Sequence, residues 1–410
     1  MSKKSIKPYS RCLKFLNNSS ENTVLAYVQT IRKYETFHNK SIESLVREAL
    51  DEQTNQVPHH LLKVIERIED FQEHLIEENH VYGTITSHMQ RIKTIYHKNR
   101  VDIPYIEPLN PKRVRRREYI EYKDVLTKEE LKQILPLMRL PARARAMAMI
   151  QGGLSNEECE HLTLSSFISE TYKYHQCDDD VEALKWLSNE NNPIIWVTKL
   201  IRVKTKKPYY AVIGAEAVNT IASAKLYEMN LPSNKGNIPE KLLSGHKLAF
   251  NRLCININNR LGLGKVAEEN KLKPHNLRRF HATYIRGTAL SYEDNVMISL
   301  SEVDEMQGRG KTATQDTYIK TNPLTQKLLY AKIMNNLSLW HEYDYEIIDG
   351  DVHIFIVDQT MENKKLKREV EELSKKLDEK QKNTEKLNAL RNELGEDTFK
   401  ELVLGILNTS

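Results

Sequence analysis

Apolar residues recur at helical spacing through the first hundred positions of the chain. Val24-Leu25, Tyr27-Val28, Ile31 and Tyr34 share one face. Leu61-Leu62, Ile65, Ile68 and Phe71–Leu75 share another, and a third stripe covers Ile85–Tyr96. Asn22-Thr23 can cap the first helix and Thr84 the last. Strand signals are few, so residues 1–109 are predicted to form a small helical domain of four or five helices. Pro108 and Pro111 then forbid a continuous helix. Five of the six residues from Lys112 to Arg117 are basic, which predicts an extended basic linker over 110–125.

A second pattern opens at Thr127-Lys-Glu-Glu130, a capping box ahead of Leu131 and Ile134-Leu135. A helix follows over Arg143–Gln151, then Gly152-Gly153, then a new helix start at Ser155-Asn156-Glu157-Glu158. Residues 169–192 are polar and acidic and read as an insertion or loop. The period then shortens: Ile194–Val197, Leu200–Val203 and Tyr209–Ile213 are β-prone runs, predicting a small antiparallel sheet. Helical spacing returns from Ala215 to about Ala331. Tyr345–Ile348 and Val352–Val357 flank Asp349-Gly350-Asp351, a hairpin signal. Leu366, Val370, Leu373 and Leu377 follow 4-3-4 spacing among Lys and Glu, about two coiled-coil heptads. A last amphipathic helix is predicted over Asp397–Leu407. The expected organisation is a helical domain (1–109), a linker (110–125), a mainly helical domain with a small sheet (126–337), a hairpin (338–358) and a helical oligomerisation tail (359–410).

Composition narrows the function classes. With 410 residues, 40% of them hydrophobic, there is enough apolar material for two or more cores. The net charge of +5 excludes a polycation but allows a basic face on one domain. Cys12, Cys159, Cys177 and Cys254 are scattered, which argues against a disulfide scaffold and a four-cysteine zinc site. No apolar run is long enough for a membrane span, and the basic amino terminus has no apolar segment behind it. The expectation is a soluble cytoplasmic, nucleoid-associated protein.

The densest chemistry lies in 275–318. His275-Asn276-Leu277-Arg278-Arg279 is followed, 31 residues after Arg278, by Gly308-Arg309, and Tyr318 comes nine residues after Arg309. Upstream, Gly153-Leu154-Ser155-Asn156-Glu157-Glu158-Cys159-Glu160-His161-Leu162 precedes the β-prone runs, whose basic turn holds Lys204, Lys206 and Lys207. This ordered set resembles the tyrosine recombinase (phage integrase) family. There a His-x-x-Arg box is followed by Gly-His or Gly-Trp and, nine residues later, by a nucleophilic tyrosine. The upstream decapeptide resembles that family's Gly-Leu-Arg-x-x-Glu-x-x-x-Leu segment, and the details look closer to archaeal than to phage members. The resemblance covers roughly residues 20–335.

It implies a helical, SAM-like core-binding domain joined to a catalytic domain that cuts and rejoins DNA through a 3′-phosphotyrosine link, integrating or excising a mobile element. Tyr318 would be the nucleophile, Arg278 the phosphate clamp, His275 an acid, base or donor, and Lys204 the general acid. Lys206 and Lys207 compete for that last role. The energy of the broken bond stays in the phosphotyrosine, so no ATP or metal cofactor is required. Lys112, Arg113, Arg115, Arg116, Arg117 and Arg279 are the expected DNA contacts. Double-stranded DNA, a homo-oligomer of two to four copies on it, and accessory DNA-bending proteins are the expected partners.

Two positions depart from the family pattern. Ser155 stands where its first arginine is expected, and Arg309 where its His or Trp is. Losing a preorganised donor at a phosphate costs about 10²–10³ in rate unless another replaces it. Arg309, Arg202 and Arg145 are the candidates to do so. Ser155 itself reads as a helix cap rather than a nucleophile. Cys159 and His161 are too isolated for a metal site. Gly262-Leu263-Gly264-Lys265 lacks the hydroxyl residue of a phosphate loop. The alternatives are a recombinase-like protein that binds DNA without cutting it, and an interaction scaffold built on the coiled coil.

Overall fold

The computed structural model describes residues 11–287, 299–309 and 322–357, with positions 376 and 395. Contacts divide the chain into two compact units at Tyr119/Ile120. The architecture is mainly helical, with three two-stranded antiparallel sheets among the described residues.

The first unit holds α1 (Glu21–His38), α2 (Ile42–Thr54), α3 (Lys63–Glu77) and α4 (Tyr82–Lys98). The predicted apolar stripes form its core: Ile31, Tyr34, Ile68, Phe71, Leu75, Ile92 and Tyr96 are completely buried. The caps differ from expectation. Ser20, with extended backbone, accepts the Thr23 N–H through Oγ at 3.3 Å, so α1 begins before Asn22-Thr23. Helix α4 begins at Tyr82, two residues ahead of Thr84, and the Tyr82 N–H, without a partner inside the helix, donates to the Arg115 carbonyl at 3.0 Å. That bond ties the basic segment to the first unit. Val114 is buried in the core, and Arg113 pairs with Glu73 at 3.2 Å. Lys112, Arg113, Arg115, Arg116 and Arg117 all stay exposed around it.

The second unit opens with the anticipated capping box. Thr127 Oγ1 accepts the Glu130 N–H, and the Glu130 carboxylate accepts the Thr127 N–H at 3.0 Å, starting α5 (Lys128–Ile134). Helix α6 (Leu140–Gly152) is buried all round from Ala144 to Gly152 and forms the spine against which later helices pack. Residues 169–192 are not a loop. They continue α7 (Leu164–His175) and form α8 (Asp180–Leu187), capped by Thr163 and Asp179. The polar sequence hides a narrow apolar face on α8, Ala183, Leu184 and Leu187, and continues an α7 already anchored upstream by buried Leu164 and Phe167.

The helix expected at Ser155 is only one 3-10 turn, Glu158–Glu160. Just beyond it the backbone is pulled straight: Leu242 N–H donates to the Leu162 carbonyl and Leu164 N–H to that of Glu240. Strands β1 (Trp196–Ile201) and β2 (Pro208–Ile213) pair from Trp196↔Ile213 to Ile201↔Pro208, merging two of the predicted runs.

Next come α9 (Ala215–Met229), α10 (Lys247–Leu261), the short β3 (Lys265–Val266) and β4 (Glu269–Asn270), α11 (Pro274–Gly287), α12 (Leu300–Met306) and α13 (Pro323–Ile333). The hairpin of β5 (Tyr343–Ile348) and β6 (Asp351–Ile356) turns at Asp349-Gly350 with both φ angles positive, as the Asp-Gly signal requires. It is part of this unit's core, since Val352 and Ile354 are buried there. Lys327 of α13 donates to Asp351 (2.7 Å) and to the Val352 carbonyl (2.6 Å). The predicted heptads and final helix lie outside the described residues.

Candidate active site

Helix α11 starts with Pro274, whose fixed φ and missing N–H suit a first helical turn. His275 and Arg278 follow three residues apart and therefore share a face. Arg278 is buried, and its guanidinium reaches two other segments. Nη1 donates to Glu158 Oε2 at 2.8 Å, and Nη2 donates to the Gln307 carbonyl. Glu158 is placed by local chemistry. Its N–H donates to Ser155 Oγ (3.2 Å), and its carboxylate accepts the Ser155 N–H (2.8 Å). Ser155 thus caps the turn and aims Glu158 at Arg278.

The Gln307-Gly308 corner after α12 is fixed from two sides. Gln307 Nε2 donates to the Arg278 carbonyl (3.2 Å) and to His281 Nδ1 (2.9 Å). Gly308 has φ +61°, and a Cβ there would sit 2.6 Å from the Tyr209 ring, so only glycine fits between α12 and β2. His281 is completely buried. Desolvation, then Arg278 and Arg309, lower its pKa to about 3, so it is neutral near pH 7 and accepts from Gln307. Gly153, which ends α6 at φ +61°, packs on the same ring; a Cβ there would meet His281 Nδ1 at 2.6 Å. Gln307 and His281 carry no signal in the sequence, because their roles come from contacts across α6, α11 and α12. Glu158 did carry one, the Ser-x-x-Glu capping pattern.

Beside these groups lies a cavity of about 840 Å³, lined among others by Glu158 and Arg278. Ser155, Arg202, Lys204, His275, Arg278 and Arg309 all line it, although they come from four separate stretches of chain. Seven Lys and Arg side chains line it against four Glu, a surplus suited to an anion. Arg202 sits at the neck of the β1–β2 turn. Its N–H donates to the Lys207 carbonyl (2.9 Å) and its carbonyl accepts the Lys206 N–H (2.8 Å). Its Nη1 donates to the same Gln307 carbonyl that Arg278 uses, at 3.4 Å. Lys204, at the exposed turn, lines the cavity, whereas Lys206 and Lys207 do not. His275 is solvent-accessible. Partial desolvation and then Arg279, Lys273, Arg278 and Arg309 all lower its pKa, so it too is a neutral imidazole near pH 7. Arg309 is partly exposed, 3.4 Å from Asp304.

Two expected residues lie elsewhere. Arg145 does not reach the cavity. It is completely buried, and its guanidinium donates to Asn156 Oδ1 (2.8 Å) and to the carbonyls of Gly245 (2.7 Å) and Leu243 (3.2 Å), so it is committed to holding the interior together. Arg279, expected as a DNA contact, does not line the cavity and donates to Asn276 Oδ1 at 2.8 Å. Tyr318 lies outside the described residues. Tyr209 is no substitute nucleophile, since burial and the Glu158 carboxylate push its hydroxyl far up and keep it protonated.

No protein-family profile and no curated protein matches the chain. Among solved structures it is similar to XerA recombinase: 15% identity, TM-score 0.32, covering 80% of this chain and 98% of that one. It is also similar to XerH site-specific recombinase bound to its difH substrate in a pre-cleavage complex: 15% identity, TM-score 0.44, covering 81% and 84%. A third is the Tn1549 transposon integrase in complex with transposon right end DNA: 14% identity, TM-score 0.45, covering 80% and 99%.

Proposed function

We propose that the chain is a tyrosine-type site-specific DNA recombinase that integrates or excises a mobile element. The observation that carries this reading is that His275, Arg278, Lys204 and Arg309, which the sequence singles out in separate segments, line one cavity with excess positive charge. In the reaction, the Tyr318 hydroxyl oxygen attacks a DNA phosphorus as its proton passes to a base. Neutral His275 is suited to that role. The new O–P bond replaces the bond from phosphorus to the 5′ oxygen, which leaves with a proton from Lys204. Arg278 spends two of its five N–H donors on Glu158 and the Gln307 carbonyl, and the others remain for non-bridging phosphate oxygens. Rejoining runs the same steps backwards from another 5′ hydroxyl.

The exposed cations Lys112, Arg113, Arg115, Arg116 and Arg117 are proposed to follow the DNA backbone, and strand exchange calls for two to four copies on DNA. Accessory proteins that bend the DNA would fit the same scheme.

Ser155 supports a second reading, a protein that binds DNA without cutting it, because its hydroxyl is occupied in a cap and supplies no cation. Covalent trapping separates the two. The purified chain is incubated with sheared DNA from its genomic neighbourhood and denatured in detergent, with Tyr318→Phe alongside. A protein–DNA adduct in the wild type that is lost in the variant is the expected result. Salt-sensitive retention without an adduct would establish the second reading. An adduct that persists in the variant would refute Tyr318 as nucleophile.

A further inference from the structure

The cavity brings two guanidinium groups onto one backbone oxygen. Arg278, from α11, and Arg202, from the end of β1, both donate to the Gln307 carbonyl. The carboxylate of Glu158 lies on the Arg278 side of this arrangement, 2.8 Å from Nη1. Glu158 pairs with Arg278 alone, so the two neighbouring cations still repel each other, and an anion placed between them relieves that repulsion. The pKa of Arg202 is lowered first by desolvation and then by Arg278, and the second cause is this repulsion.

The carbonyl they share is held on several sides. Gln307 is completely buried, and its amide is hydrogen-bonded to α11 at the Arg278 carbonyl and at His281. The adjoining Gly308 packs against the Tyr209 ring of β2. Arg202 is just as firmly set, because both its backbone groups close the neck of the β1–β2 turn.

We propose that Arg202 and Arg278 form one two-guanidinium phosphate clamp, with Gln307 as the residue that positions both. The chain thus brings in from its hairpin the cation that Ser155 lacks. Arg309 is less suited, because it is partly exposed and faces Asp304; Arg145 is spent on carbonyls. That the bound phosphate belongs to DNA rests on the strand-exchange reading, but the anion site itself does not.

The test uses the full-length chain and two readouts, binding of inorganic phosphate by calorimetry and formation of the covalent DNA adduct. Arg202→Ala is expected to weaken phosphate binding about tenfold and to slow adduct formation roughly 10²–10³-fold, the usual loss for one preorganised donor. Arg202→Lys keeps the charge without the fork and should fall between. Ser155→Arg in the Arg202→Ala background should recover at least tenfold of the adduct rate. Gln307→Leu should weaken phosphate binding severalfold in the wild-type background and less when Arg202 is already alanine. A general loss of stability would not produce that non-additivity.

Phosphate binding that depends on Arg202, with no adduct from the wild type, would uphold the clamp and overturn the recombinase reading. An adduct from the wild type with both readouts unchanged in Arg202→Ala would overturn the clamp and uphold the recombinase. A larger loss in Arg309→Ala than in Arg202→Ala on both readouts would overturn the choice of Arg202, and a wild-type chain that binds no phosphate would overturn the site.

Discussion

Replacing Glu158 with alanine removes more than one contact. The Arg278–Glu158 pair is almost wholly buried at the cavity wall, with side chains 6% and 4% exposed. The carboxylate also accepts the Ser155 N–H, so truncation leaves a buried cation and a turn without its cap. Removing one partner of a buried pair costs about 3–5 kcal/mol, because the desolvation of the remaining charge is no longer offset. The neighbouring residue is a built-in control. Glu157 pairs with Lys247 at 2.9 Å, but those side chains are 41% and 34% exposed, and such pairs contribute below about 1 kcal/mol. All three tryptophans, Trp186, Trp196 and Trp340, lie in the second unit, so tryptophan fluorescence during urea unfolding reports on that unit alone. Glu158→Ala should lower its stability by several kcal/mol and Glu157→Ala by almost nothing. Adding Arg278→Met to Glu158→Ala should restore part of the loss by deleting the stranded charge. Equal stabilities for the two single variants would refute the claim that Glu158 and Arg278 depend on each other.

Stability should also fall in mild acid. His281 and His88 have pKa values of about 3 and about 4 in the folded chain, against an ordinary 6.5. The unfolded chain binds more protons below pH 6.5, so stability is full above that pH and falls as the pH drops towards 4, by about 2 kcal/mol per histidine at pH 5. Thermal melts by circular dichroism between pH 7 and pH 5 measure this, and replacing His281 with glutamine should flatten the curve. The basic segment makes a separate prediction. Converting Arg115, Arg116 and Arg117 together to alanine should make the slope of log K for duplex DNA against log salt shallower by about 0.9 per lost phosphate contact. An unchanged slope would remove these residues from the DNA interface.

Features that depend on neighbouring residues were legible in the sequence. The Thr127–Glu130 capping box, the Asp349-Gly350 turn and the apolar stripes of α1, α3 and α4 follow from short-range sterics and helical period, so the pattern alone specifies them. The His275-x-x-Arg278 box and the Gly308-Arg309 pair were visible for the same reason: each is a short local run.

Where contacts cross the fold, the sequence was silent or misleading. Residues 169–192 look like a loop because their apolar faces are narrow, and only packing against the core makes helices of them. Ser155-Asn156-Glu157-Glu158 has the composition of a helix start, but backbone pairing with 240–242 stops it after one turn. Arg145 and Arg202 are alike as isolated arginines. Their surroundings separate them: one is buried among carbonyls, and the other is held at a hairpin neck beside Arg278. Gln307 gains its importance only when α6, α11, α12 and β2 meet. Local chemistry therefore determined which elements form and which residues could react. Long-range packing decided which cations share a cavity, because burial and charge proximity depend on three-dimensional neighbours that no spacing along the chain encodes.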